Sequence, residues 1–292
     1  MLNNSFNEWG LDIGRLLGVR IRIHWMFFVF GLFFMASQPN KQSAAIYLGV
    51  LFVTVLIHEF GHIFAARHFH LDADRVVLWP LGGLAFVGRS GSAWQEFWIS
   101  FFGPFTQIVL GLASGLWLYF NGAKFALIPS LLMPLVAVGE PGGLLGAVIS
   151  TVFMVQVWLF ALNVLLPAYP LDGGRMLVAM VINRVGGLRA AGMAMVLTLL
   201  SSGYLLVEGS QLLGFCLMME AALLYQLRQT GEIYSHPSFN YGSRPLYSSK
   251  TSPRSKAKVV SHLRLVESKL CPQCGRSLSP SAKMCGFCEI SV

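Results

Sequence analysis

Five consecutive residues, His58, Glu59, Phe60, Gly61 and His62, stand inside an apolar stretch and form the pattern H-E-x-x-H. On a helix, two histidines four apart share one face and reach one Zn²⁺, and the glutamate beside the first is placed to take a proton from a water that the metal acidifies. The bland alternative is three polar residues satisfied by packing between helices. Inside a membrane span, where His and Glu are costly, function is the better reading. Catalytic zinc keeps three protein ligands and an open position, so a third ligand is required. Asp172 is the candidate: it closes the run NVLLPAYPLDGG from Asn163 to Gly174, where two prolines and two glycines break a helix. Backbone freed at membrane depth is tolerated only where it is buried in protein or lines a wet cavity. The alternative for Asp172, a cap on a helix beginning near Arg175, is compatible with ligation. Asn163 is the candidate for hydrogen-bonding an oxyanion or a substrate backbone, with polar packing between helices as its alternative.

A second constellation lies near the end of the chain. Cys271-Pro-Gln-Cys274 and Cys285-Gly-Phe-Cys288 are two C-x-x-C knuckles ten residues apart. That spacing suits a tetrahedral Zn(Cys)₄ ribbon with no place for water, hence a structural zinc that stabilises a small fold. A peptide or protein regulator is its first expected partner and nucleic acid the second. Cys216, alone in an apolar stretch, reads as a small helix residue.

The elements that must position these residues are membrane spans. Apolar residues make up 55% of the 292 and charged residues 12%, with a mean hydropathy of +0.62. That excludes disorder for most of the chain and argues against an ordinary cytosolic enzyme. Six charge-poor windows emerge, at about 23–37, 44–66, 94–120, 144–166, 190–207 and 212–227. Arg15, Arg20 and Arg22 precede the first; Arg67, Arg75 and Arg89 separate the second from the third; Arg184 and Arg189 separate the fourth from the fifth. The opposite side carries only Lys41 and Lys124, so both termini are expected to be cytoplasmic. From Arg228 onward stand ten basic and three acidic residues, which carry seven of the formal +8. The charge thus belongs to a tail that can lie against anionic lipid, and it is poor support for nucleic-acid binding. Two pieces have strand character: Gly18 to His24 alternates apolar with basic residues, and Val76–Trp79 with Leu84–Val87 flank a Pro-Leu-Gly-Gly turn as a hairpin. The fold expected is a polytopic α-helical membrane domain over residues 1–227, with a small cytoplasmic hairpin. A flexible basic linker (228–269) and the ribbon (270–292) follow it.

HEFGH on the second span, PLDGG after the fourth, GVRIRIHW at the start and PLGG in the hairpin turn resemble the site-2 protease family of intramembrane zinc metalloproteases. The likeness covers roughly Gly18 to Arg189. It implies zinc on His58, His62 and Asp172, Glu59 as general base, and hydrolysis of membrane or membrane-proximal segments of other proteins in a prokaryotic cell membrane. Gly82 and Gly83 of the hairpin are candidate substrate-binding residues, as is Gln107, which departs from the family by ending a Gly103-Pro104-Phe105-Thr106-Gln107 run where members often have G-P-x-x-N. Apart from the family, hydrolysis needs an extended peptide. The substrate must therefore unwind near the cytoplasmic face, where the hairpin either receives it as an added strand or covers the site. The rival from another class is a non-catalytic scaffold or receptor that recruits a partner through the ribbon.

Overall fold

The computed structural model describes residues 10–79, 82–88, 90–139, 141–230, 239, 269–270 and 277–278. The elements run β1 (Gly10–Leu16), β2 (Val19–His24), α1 (Trp25–Ser37), α2 (Lys41–His68), β3 (Ala73–Trp79), β4 (Gly82–Val87), α3 (Ala93–Phe120), β5 (Lys124–Leu127), β6 (Leu135–Val138) and α4 (Gly143–Phe160). A π-helical turn (Ala161–Leu165), α5 (Asp172–Val185), α6 (Gly187–Val207), α7 (Gln211–Thr230), β7 (Lys269–Leu270) and β8 (Ser277–Leu278) complete them.

Among the described residues four helical segments are long and apolar enough to cross a membrane: α2, α3, α4 with its π turn, and α6. They coincide with four of the six expected windows. The first window divides between the end of β2 and the 13-residue α1, which at about 1.5 Å per residue is shorter than a bilayer core. The last window is the 20-residue α7, whose Gln211, Glu220, Gln226 and Arg228 dilute its apolar character.

Helix α3 lies centrally, packed against α2, α4 and α5. Its start is set by Ser92, whose side chain accepts from the Gln95 amide at 3.2 Å, as Asn40 caps α2 by accepting from Ser43 at 3.1 Å. The strands form one sheet in the order β1-β2-β3-β4; β2 and β3 are parallel, the other neighbours antiparallel. The expected strand at Gly18–His24 is β2, with Val19, Ile21 and Ile23 buried and Arg20 exposed. The expected hairpin is β3–β4, longer than its apolar runs indicate. The apolar side of β2 and β3 packs on Leu51, Val55 and Ile63 of α2 and on Ile99 of α3, which brings the sheet against the helices that carry the histidines.

Two expectations change. Helix α5 begins at Asp172 itself and not near Arg175, and its N-terminus has no side-chain cap, so the Asp172 carboxylate is left for other work. A second hairpin, β5–β6, lies where the sequence shows only a Pro- and Leu-rich connector. The four cysteines of the ribbon and most of the basic linker lie outside the described residues.

Candidate active site

His58, Glu59 and His62 are all buried on α2. The helix spacing brings the His58 and His62 rings together edge to face, with centroids 4.7 Å apart. Two glycines make this possible. A Cβ on Gly61 would run into the backbone carbonyl of Phe102, and one on Gly103 would overlap the His62 ring and lie 2.8 Å from Cε1 of His58. The α2 and α3 backbones therefore meet at Gly61, and the imidazoles occupy the space left at Gly103. His62 Nδ1 lies 2.6 Å from the Ile99 carbonyl of α3; a proton donated there leaves Nε2 with its lone pair facing inward.

Asp172 arrives from the other side. The helix continuing α4 loosens into its π turn, and the segment through Pro167 and a cis Tyr169–Pro170 bond returns the chain to start α5 at the histidines. Asp172 Oδ2 stands 3.1 Å from His58 Nε2 and 3.4 Å from His62 Nε2, and the two Nε2 atoms are 3.1 Å apart. These are the ligand-capable atoms of the metal-compatible group His58, His62 and Asp172. Tetrahedral zinc with bonds near 2.0 to 2.1 Å has ligand atoms about 3.3 Å apart, and the observed triangle fits that spacing. Asp172 Oδ2 and His58 Nδ1 have no hydrogen-bond partner in the structure. Three Lewis bases converging in a buried place, with one carboxylate oxygen unsatisfied, fit a divalent cation.

The triangle opens on a cavity of about 340 Å³ walled by Glu59, Gly83, Asn163, Pro170 and Leu171, among others. Glu59 lies directly under β4: a Cβ on Gly83 would overlap its carboxyl group, whose Oε1 would be 2.6 Å away. The structure thus brings His58, Glu59, His62, Asn163, Asp172 and Gly83 to one cavity. Gly82 opens β4, paired with Trp79. Gln107 is not brought to the cavity wall; it is 1% exposed and lies one turn beyond Gly103 on α3. A second, mainly apolar cavity of about 530 Å³ adjoins the first. Phe27 and Phe30 of α1, Tyr47 of α2, Trp158 and residues 209–213 leading into the first turn of α7 line it, and Val55, Trp79 and Leu159 line both cavities.

The motifs do not single out Glu96. This buried residue in the first turn of α3 accepts from Arg175 Nε at 3.0 Å and Nη2 at 2.7 Å, and from the Ser90 hydroxyl. Arg175 Nη1 is also 3.9 Å from Asp172 Oδ1. Burial works to lower the Arg175 pKa, but the carboxylates of Glu96 and Asp172 outweigh it and hold the guanidinium charged. The Ser90–Glu96–Arg175 chain ties the first turn of α5, and with it Asp172, to the first turn of α3. A carboxylate near the start of an apolar span is the signal that could have found it, since such groups are costly unless paired.

Known proteins are similar to this chain in sequence and in fold. A zinc metalloprotease of Methanocaldococcus jannaschii is 25% identical over 189 residues, covering 64% of this chain and 50% of its own. Rip3 of Mycobacterium tuberculosis, named as a zinc metalloprotease, is 28% identical over 221 residues, 66% of this chain and 51% of its own. The chain spans about half the length of these curated relatives. Among solved structures, a site-2 protease from Methanocaldococcus jannaschii has a similar fold, with a TM-score of 0.51 at 19% identity over 82% of this chain and all of that one. The model of peptidase family M50 matches residues 46–206, more than half the chain and a stretch that includes His58, Glu59, His62 and Asp172, and the chain belongs to that family.

Proposed function

We propose that this protein is an intramembrane zinc endopeptidase that cleaves membrane-embedded or membrane-proximal segments of other membrane proteins. The observation that carries the reading is the triangle of His58, His62 and Asp172 with Glu59 on the same cavity. His58, His62 and Asp172 would hold Zn²⁺, which when bound supplies Lewis acidity toward water and toward a peptide carbonyl. Glu59 takes the proton of the attacking water and hands it to the leaving amide nitrogen. Asn163, on the same wall, donates its amide to the carbonyl oxygen as charge develops there. Arg175 and Glu96 keep the Asp172 turn in place. Trp79 and Gly83 line the cavity, so a substrate strand laid along β4 would sit over Glu59, held by backbone hydrogen bonds, with the absence of side chains at Gly82 and Gly83 leaving it room. The adjoining apolar cavity suits the residues that flank the scissile bond in a membrane segment.

The remaining architecture follows the same reading. Six spans, with α1 and α7 as the outer pair, put both termini in the cytoplasm of a prokaryotic cell. The cysteines Cys271, Cys274, Cys285 and Cys288 hold a second, structural zinc; the pairing of β7 with β8 brackets the first knuckle. The ribbon recruits a protein regulator, and the basic linker contacts anionic lipid. A scaffold without catalysis has no use for Glu59 in the cavity. The test is Glu59→Gln in the full chain: zinc content stays near about two per chain while fragments of membrane proteins, read by proteomics of the membrane fraction, disappear. Unchanged fragment patterns would rule out the protease reading in favour of the scaffold.

A further inference from the structure

Polar side chains that neither the cavity nor the helix caps use gather on three helices one turn away from the metal triangle. Gln107 of α3 is 1% exposed, and neither its Oε1 nor its Nε2 has a hydrogen-bond partner. Gln156 of α4 is equally buried; its Nε2 donates to Thr54 Oγ1 at 3.0 Å, while its Oε1 has none. Thr54 stands on α2 one turn before His58. His58 Nδ1 is unmatched too, as are Ser100 Oγ and Ser150 Oγ elsewhere on α3 and α4, whereas Nδ1 of His62 has the Ile99 carbonyl at 2.6 Å.

The unmatched atoms of Gln107, Gln156 and His58 match in number and kind. With the His58 Nε2 lone pair facing the metal site, Nδ1 carries a proton and needs an acceptor. Gln107 offers an acceptor and a donor, and Gln156 a second acceptor. Placement agrees with the count. Side chains on a helix lean toward its N-terminus, so the Gln107 amide leans back toward Gly103, where a Cβ would be 2.8 Å from His58 Cε1. One turn farther along α3, a Cβ on Gly111 would be 3.4 Å from the Cβ of Gln156. Four unmatched polar atoms in a membrane-embedded core carry a large desolvation cost, and pairing them removes it.

We propose that Gln107 is a positioning residue for the metal ligand His58. Its Oε1 accepts from His58 Nδ1–H, directly or through one buried water. Its Nε2–H donates to Gln156 Oε1, which extends the chain to Thr54 and ties the ligand's tautomer to α3 and α4. The proposal rests on the metal-centre reading above and is tested on zinc binding in the full chain, purified in detergent.

Gln107→Met keeps length and removes the acceptor; it is expected to weaken zinc affinity by about 10- to 100-fold, read by competition with a chromophoric chelator. Gln107→Glu keeps an acceptor and is expected to hold affinity within about threefold of wild type. The thermal midpoint of metal-stripped Gln107→Met should fall only slightly below that of stripped wild type, because the bonds to His58 and Gln156 are lost in both forms; that of the zinc-loaded variant should fall further, because the gain on adding zinc also shrinks. Should the Met variant not fold, Gln156→Leu takes its place, with a smaller expected loss of affinity. Zinc affinity unchanged in these variants, or a stripped midpoint that falls as far as the loaded one, overturns the proposal in favour of simple packing. Wild-type chain that takes up no zinc at this site overturns the metal-centre reading itself.

Discussion

Replacing Glu96 with Gln tests how the third ligand is held. Glu96 receives two hydrogen bonds from Arg175, at 3.0 and 2.7 Å, and one from Ser90. Glu96→Gln leaves the Arg175 donors charged but removes the ion pair and makes the Ser90 bond a neutral one; losing one partner of a buried pair costs about 3 kcal/mol at the low end. Glu96 has a side chain 8% exposed, but that of Arg175 is 29% exposed, and water offsets part of the loss; about 2 kcal/mol remains. The freed guanidinium does not stay idle. Among the described residues its other carboxylate neighbour is Asp172, at 3.9 Å, and it turns toward the oxygens that zinc needs. If the whole 2 kcal/mol falls on the position of Asp172, zinc affinity drops by about 30-fold. Chelator competition on the purified chain measures this directly. The double variant Glu96→Gln/Arg175→Gln removes the competing cation as well, and should bind zinc more tightly than Glu96→Gln alone, by a coupling above about 1 kcal/mol in a double-mutant cycle. Affinity within twofold of wild type in Glu96→Gln, or strict additivity in the cycle, would refute the argument that this ion pair positions the ligand.

Two further outcomes follow from the packing and from the tail. Gly103→Ala places a methyl group in the space of the His58 and His62 rings and should abolish both zinc retention at the core site and cleavage while leaving the protein membrane-inserted, which metal analysis and alkaline extraction of membranes check. Cys271→Ser/Cys274→Ser should lower zinc content by about one ion per chain and leave cleavage of a substrate that needs no recruitment unchanged, measured on a short membrane-anchored reporter.

The legibility of this protein in its sequence follows the range of each interaction. His58, Glu59 and His62 are readable because their geometry is set within one helical turn, and Asp172 because its helix break is spelled by neighbouring prolines and glycines. Glu96 is not, because its meaning lies in Arg175, 79 residues away; alone it reads as an acid complementing a helix N-terminus. The strand β2 shows by its alternation, but its parallel pairing with β3 has no local signature, since two helices intervene. Strand β1 is hidden by the bulge between Asp12 and Gly14, which breaks the period of two. The first of the six windows runs into β2 because a hydropathy window does not register that the strand continues through His24, whose ring caps the first turn of α1.

Helix α3, which supplies none of the three residues of the His58–His62–Asp172 triangle, organises the site through one face. Glu96, Ile99, Gly103 and Gln107 are spaced three, four and four residues apart, which keeps them on one stripe of a 3.6-residue helix. Going along that stripe, Glu96 binds the Arg175 that flanks Asp172, the Ile99 carbonyl faces His62 Nδ1, and Gly103 vacates the volume the imidazoles fill. Between them these positions reach all three members of the triangle, at successive turns of one rod. Such a design holds ligands from α2 and α5 in mutual register although they lie more than a hundred residues apart in the chain. It also explains why Pro104 is tolerated in the middle of a membrane helix. The proline forfeits one backbone hydrogen bond and favours a bend at the place where α2 and α3 already meet closely at Gly61 and Phe102. A substitution that moves the α3 backbone away from α2 there would shift the stripe positions relative to α2 at once, so metal binding should fail before the helix bundle does.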